Sequence, residues 1–573
     1  MKKAALLAAL LAAGAGYVFL QTNPPRPNLP GFMPGGALLY LETPDFTHLL
    51  QDWDSSQVKT EWLASADYAA FSRSTLFSKL HDVYTQYGQA AGFAPDLAGV
   101  IGMAGTNSAL ALYDIHDVQF LYVTRMPDAV LAKSPLWALR DRFQQRQAGG
   151  VSFYLRSDPA SKRTVAFAST RGYLLVATRD DLVAQALELL AGTSLPSIAA
   201  DRWYRESTAA AASPGELRLV MNLELLVKNE YFRSYWIQRN ASQVRRYWAA
   251  VADVTRASDA ITENRVFLRS SDAAASAQPA TTAPISSLAA LAPPDAGFYR
   301  ATPVADAGAA SALIIEKLIA PQAQAGRDER IAPWAASPDI HAGTEADLET
   351  RIDEQPLPAD TGLAGATAAI RGVIEKTGAR GELLVESSAP ASGPFVEMHA
   401  AIVLDAAQDW DAGAVRSALS GAAGRLWTTS QLGAEWAGAA AGSHTVERFN
   451  GLGTLLLVAN GRRLFLANDA GLIAAVLDRT AVQPAAGGLS YAAASRHARE
   501  HADFVRLTTA LDFTVPAQNT GFARFAPGDG APPFFSGNMA SLSGVLSNVS
   551  EIRVTSRDQG ALTFETVVYR LGR

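Results

Sequence analysis

The sequence contains no cysteine. That excludes disulfides, thiolate nucleophiles, cysteine-ligated zinc, iron–sulfur clusters and attachment of a lipid to a leading cysteine. An exported chain of this kind has to be held by the size of its core. Basic charge is also in short supply, with Lys+Arg 49 against Asp+Glu 55 and a formal net charge of −6. A nucleic-acid partner needs a strongly basic face, so none is expected. Familiar catalytic signatures are missing too. There is no G-x-S-x-G elbow, no GxxxxGK[ST] phosphate loop and no HExxH, and Gly451-Leu452-Gly453 lacks the third glycine of a dinucleotide fingerprint. No cofactor is expected. What remains is a globular composition, 49% hydrophobic and 18% charged, over 573 residues. That length exceeds one core and implies two to four domains.

The chain begins with one long hydrophobic run. Met1-Lys2-Lys3 precedes Ala4 to Leu20, a stretch without charge, and the pattern reads as a signal-anchor or signal peptide over residues 1–20. Ala13-Gly14-Ala15 offers a cleavage site, whereas Tyr17-Val18-Phe19-Leu20 carries the run to the lower end of a transmembrane helix. On either reading the bulk of the chain lies on the periplasmic side of a bacterial cell envelope. On the uncleaved reading, residues 4–20 contact the inner membrane. Pro24, Pro25, Pro27 and Pro30 make 21–33 an extended spacer.

Beyond the spacer the sequence matches itself. Thr164 to Glu188 lies without a gap on Thr454 to Asp478, sharing Leu174/Leu464, Ala177/Ala467, Leu182/Leu472 and Leu187/Leu477 among other positions. Three further stretches follow in the same order: Pro34–Thr43 with Pro293–Thr302, Gly215–Leu219 with Asp503–Leu507, and Ile261–Arg269 with Leu562–Arg570. The expected organisation is an internal duplication, with copy one at 34–270, a linker at 271–292 and copy two at 293–573. The growing offset between matched residues predicts insertions in copy two at Ala320–Thr361 and near Asn519–Gly537.

Apolar alternation predicts strands at Ala37–Glu42, Ser108–Asp114, Gln119–Arg125, Val151–Arg156, Thr164–Ser169, Tyr173–Thr178, Leu217–Leu223, Ile261–Arg269 and Phe504–Leu507. Phe46–Ala91 and Asp128–Gln147 read as helical, the first with Trp53, Leu63, Leu80 and Tyr84 among its buried face. Asp180 is the expected cap of a helix over Leu182–Leu190. Hairpins outnumber strand–helix alternation. The fold class expected is α+β: two tandem related domains after an N-terminal hydrophobic helix, each a mainly antiparallel sheet with packed helices.

The opening strand, Pro34-Gly35-Gly36-Ala37-Leu38-Leu39-Tyr40-Leu41-Glu42, and the later segment Gly172 to Leu182 resemble a family of exported or membrane-anchored bacterial proteins of unassigned function. Members open with a P-x-x-A-L-x-Y-x-E strand. The resemblance covers most of copy one and is weaker in copy two, where Arg300 and Ala301 replace the aliphatic–Glu pair. It implies an envelope location and carries over no catalytic residue.

Two stretches carry candidate chemistry. His497-Ala498-Arg499-Glu500-His501 fits H-x-x-E-H. On a helix His497 and His501 share a face and could hold zinc, with Glu500 acting on a bound water. Such a site needs a third ligand, and Glu551 and Glu565 are the glutamates downstream. Asn229–Trp248 is aromatic and basic; Tyr231, Phe232, Tyr235, Trp236 and Arg239 would form a partner-binding or membrane-surface face. The acidic positions around Asp339 to Glu354 fit no defined calcium loop. Taken together, the sequence reads as an envelope protein that binds or scaffolds, with a lipid, peptide or envelope protein as ligand and no identified catalysis. A zinc-dependent hydrolase at the HxxEH segment, and a subunit of a larger envelope complex, are the alternatives.

Overall fold

The computed structural model describes residues 28–72, 75–93, 96–229, 244–271, 284–320, 361–390, 396–427, 435–451, 453–484, 488–514 and 540–572. Residues 4–20, the aromatic face Tyr231 to Arg239, the expected insertion Ala320–Thr361 except its two end residues, and the whole of Asn519–Gly537 lie outside them. Among the described residues, no helix is long and apolar enough to cross a membrane. The chain divides into two compact units. The first takes Met1–Ser56, Thr75–Leu226 and Ala249–Asp253; the second takes Gln57–Ser74, Val227–Trp248 and Val254–Arg573.

In the first half the strands are β1 Leu39–Asp45, β2 Thr106–Asp114, β3 Gln119–Arg125, β4 Gln144–Ala148, β5 Val151–Ser157, β6 Thr164–Thr170, β7 Tyr173–Ala177, β8 Leu217–Met221, β9 Tyr247–Arg256 and β10 Ala260–Arg269. In the second they are β11 Phe298–Pro303, β12 Ala379–Pro390, β13 Val396–Ala406, β14 Glu435–Ala441, β15 His444–Asn450, β16 Thr454–Asn460, β17 Arg463–Ala467, β18 Tyr491–Ser495, β19 Val549–Gln559 and β20 Leu562–Leu571. The first series pairs in the order β4-β5-β6-β7-β3-β2-β1-β8, antiparallel throughout. The second pairs as β14-β15-β16-β17-β13-β12-β11-β18. The two orders are the same, and so is the register. Tyr40 sits between Ala111 and Val220, and Tyr299 between Val385 and Ala494. Ala177 sits between Ala166 and Leu121, and Ala467 between Leu456 and Ala401.

The expectation of one sheet per domain is corrected. The strands belong to a single twenty-stranded antiparallel sheet. The physical reason is visible at β10, which pairs with β9 along one edge and with β20 along the other, from Ala260↔Arg570 to Leu268↔Leu562. A free edge strand exposes a row of unpaired N–H and C=O groups, and this pairing satisfies them on both strands. The longest segment of the second unit, Val254–Arg573, accordingly takes in β10.

The sheet of the second unit is apolar on both faces. Leu384, Ile402, Leu404, Leu464 and Leu466 pack on one side with Ile314, Leu318, Ile370, Ile374 and Leu419 of the helices Ala307–Ile314, Ile315–Ile319, Thr361–Thr377 and Ala412–Leu426. Their strand neighbours Leu383, Val385, Val403 and Phe465 pack on the other side with Ile285, Leu288, Ile473 and Val476. This two-sided burial explains why the strands read as near-continuous apolar runs. In the first unit Phe167 and Leu174 join Ala90, Leu131, Leu136 and Phe143. Tight turns fix the register. β6 and β7 are joined by Arg171 and Gly172, both with positive φ, and β16 and β17 turn on Gly461, φ +55, the geometry two-residue hairpins require.

Several local expectations are corrected. Phe504–Leu507 is not a strand but part of the helix His497–Thr514; the counterpart of β8, which pairs with β1, is β18, Tyr491–Ser495, which pairs with β11. Phe504 and Leu507 fall at helical spacing, which the shared Arg-Leu pair of the two stretches concealed. Asp128–Gln147 contains only short turns of helix and then β4. Trp53, Leu63, Leu80 and Tyr84 are exposed rather than buried, at 45%, 45%, 52% and 43%. Asp180 is the first helical residue, and the cap position, Arg179, makes no capping hydrogen bond.

Candidate functional site

The second unit contains a cleft of about 760 Å³. Strand alternation builds its floor. Tyr299 and Ala301 of β11 turn into one core, which sends Arg300 to the opposite face. On β12, Leu383 and Val385 likewise leave Glu382 on the cleft side. Tyr491 of β18, Ser556 of β19, Glu565 of β20 and Arg265 of β10 continue the floor across neighbouring strands. The wall is helical. Ala309, Ala312, Leu313 and Glu316 lie at i, i+3, i+4 and i+7 on the segment Ala307–Ile319 and all line the cleft. Ala309 and Ala312 are small and exposed, which leaves this wall open.

The floor is a set of interlocked charges. Arg265 directs Nε and Nη2 at the two carboxylate oxygens of Glu263, each at 2.7 Å, and Nη1 at Oε1 of Glu565, at 2.8 Å. Ser556 Oγ donates to Oε2 of Glu565 at 3.2 Å. Arg300 is held more loosely. Its Nη2 donates to Glu382 Oε1 at 3.3 Å, and its Nε is buried without a hydrogen-bond partner among the described residues. Burial raises the Glu382 carboxyl above its ordinary range even though the adjacent Arg300 pulls the other way. Burial also raises the Tyr491 hydroxyl.

The HxxEH residues lie elsewhere, on the helix His497–Thr514. Both imidazoles face one hydroxyl: His497 Nε2 is 2.6 Å and His501 Nδ1 is 2.8 Å from Ser543 Oγ. Ser543 is buried, so the point where a metal would sit is taken by a packed side chain. Glu500 accepts the Ser388 N–H at 2.7 Å and Arg499 Nη1 at 2.7 Å. Glu551 is held by Arg496, Arg553 and Arg570, and Glu565 belongs to the cleft. Among the described residues, no group of three or more His, Asp or Glu gathers as a metal site. Burial and the neighbouring His501 lower the His497 pKa. A smaller cavity of about 210 Å³ lies beside His497, Glu500 and Asp503, with Phe298, Met398 and Phe504 on its apolar side.

Sequence reasoning therefore pointed at a packed histidine pair and missed the cleft. One signal was present. Arg300 stands where the first copy has Leu41, an arginine interrupting an apolar strand. Its partners lie 82 residues away at Glu382, and the Arg265–Glu565 pair spans 300 residues, so no local pattern links them.

No protein-family model matches the chain, and no curated protein matches it. Solved structures of TP0453 in crystal forms IV, I and III align at 10% sequence identity with a TM-score of 0.24. The alignments cover 42% of this chain and 79%, 77% and 79% of those chains respectively.

Proposed function

We propose that this is a non-catalytic binding protein of the bacterial cell envelope, built from a duplicated module, with its ligand seated in the cleft of the second unit. The observation that carries this reading is the cleft itself, a concave surface of ligand size with an apolar helical wall and a polar floor. Arg265 with Glu565 and Arg300 with Glu382 are paired across the floor, which suits recognition rather than attack on a bond. The envelope placement is supported by Lys2-Lys3 followed by the apolar run to Leu20. The shared strand order and register support descent of both halves from one module.

The test is binding of four probes of one length (hexanoate, hexanamide, hexylamine and hexyl phosphate) to the full chain by saturation-transfer NMR. The control is Ala309→Trp, which fills the cleft. At least one probe should bind the wild type and lose its signal with the variant. If no probe distinguishes the two proteins, the cleft is not the binding site.

A further inference from the structure

We propose that the cleft selects a singly charged aliphatic carboxylate, with its head on Arg300 and its hydrocarbon body along Ala309, Ala312 and Leu313. The inference rests on the cleft being a binding site, and it names the ligand class. Three observations carry it. The first is the state of the cations. Arg265 spends Nε, Nη1 and Nη2 on Glu263 and Glu565 at 2.7 to 2.8 Å, so it has no edge to offer. Arg300 has one long contact, at 3.3 Å, and a buried Nε without a partner among the described residues. The buried Nε lies out of a ligand's reach, but the side chain as a whole is 36% exposed and its guanidinium makes only that one long bond, so a planar carboxylate in the cleft can accept from its Nη groups.

The second observation sets the charge. Glu316, Glu382 and Glu565 line the same cleft as Arg300 and Arg265. A doubly charged phosphate would meet three carboxylates in a partly enclosed space, and the repulsion grows with each ligand charge. One negative charge can be placed on Arg300; two are opposed. The third observation sets the body. The wall facing Arg300 is Ala309, Ala312 and Leu313 with Pro303 beside it. Polar side chains, Glu316 and Thr302, also line the cleft, and along Ala309, Ala312 and Leu313 burial of methylenes is favourable.

The experiment measures the affinities of the same four probes for the full chain by titration calorimetry. Hexanoate should bind at least tenfold more tightly than hexanamide and hexyl phosphate, and hexylamine should be weakest. Arg300→Gln should reduce hexanoate affinity at least tenfold and leave hexanamide unchanged. Ala312→Leu, which keeps the arginine and narrows the apolar wall, should weaken hexanoate while leaving acetate unaffected. Equal or tighter binding of the amide, amine or phosphate overturns the ligand class, as does full hexanoate affinity in Arg300→Gln. Those outcomes leave the cleft as a binding site. Absence of binding by every probe, with Ala309→Trp indistinguishable from the wild type, removes the binding reading itself.

Discussion

In the first unit, the buried charge lies on the sheet face that carries Tyr40. Glu42 accepts the Tyr40 hydroxyl at 2.7 Å, and Arg218, the register partner of Glu42, grips Asp253 through Nε and Nη2 at 2.7 and 2.8 Å. At the matching positions of the second unit stand Ala301 and Ala492, both buried in an apolar core. There the charge occupies the other face, with Arg300, Glu382 and Tyr491 where the first unit has Leu41, Ser108 and Leu217. One backbone plan thus supports two arrangements of polar groups. In the first they are sealed into a core pair, both side chains 7% exposed. In the second they line an open cleft. The comparison teaches that register fixes which face a residue takes, while residue identity decides whether that face closes or binds.

The largest effect should come from the sealed pair. Asp253→Ala leaves Arg218 charged and buried, so urea unfolding should register a loss of about 3–5 kcal/mol. Replacing both partners by apolar residues, Arg218→Met with Asp253→Leu, should recover much of it, and failure to recover would show that the pair does more than neutralise itself. Next comes the core at matched positions. Leu174→Ala and Leu464→Ala remove the same side chain, 0% and 2% exposed, and each should cost about 2–5 kcal/mol. A large difference between them would break the equivalence of the two cores.

A third test uses pH. The folded-state pKa of Glu382 is raised by burial. The native state therefore holds this proton more firmly than the unfolded chain does. The resulting stability is fully present below the unfolded carboxyl pKa of about 4.3 and is lost as pH rises through the folded value. Glu382→Gln, which mimics the protonated form, should flatten the decline across that window in denaturant titrations at several pH values; an unchanged slope would assign it to another group. The smallest effect concerns helix caps. Asp469 caps the helix Ala470–Leu477 by accepting the Leu472 N–H at 2.7 Å, whereas the equivalent Arg179 accepts nothing. Asp469→Ala should cost about 1 kcal/mol and Arg179→Asp should gain a comparable amount. Thermal melts of the two variants should move in opposite directions.

Much of the strand layout was legible. The alternation and turn residues of Thr164–Ala177 and Thr454–Ala467 located β6, β7, β16 and β17 in matched register. The same comparison failed at Gly215–Leu219, because Arg-Leu recurs at Arg506-Leu507 inside a helix, while the true counterpart, Tyr-Ala-Ala-Ala-Ser, shares almost no side chains with β8. A strand buried against small residues leaves little trace in identity. The histidine motif was legible as a pattern but not in its surroundings, since Ser543 reaches it from a separate helix. The cleft was least legible of all, because each of its strands contributes only one to three residues to it.

The order of apolar and polar residues along the chain by itself determined where strands such as β2, β3, β5, β6, β7 and β10 lie and which face their residues take, because side chains alternate across a strand and turns set its phase. The absence of cysteine limited the available chemistry equally early. Only the tertiary structure decided that β10 would join β20 in one sheet, that Arg265 would meet Glu565, and that Arg300 would keep a free donor beside an alanine wall. Those are pairings between distant segments, and their energies depend on distances and burial that chain order does not encode.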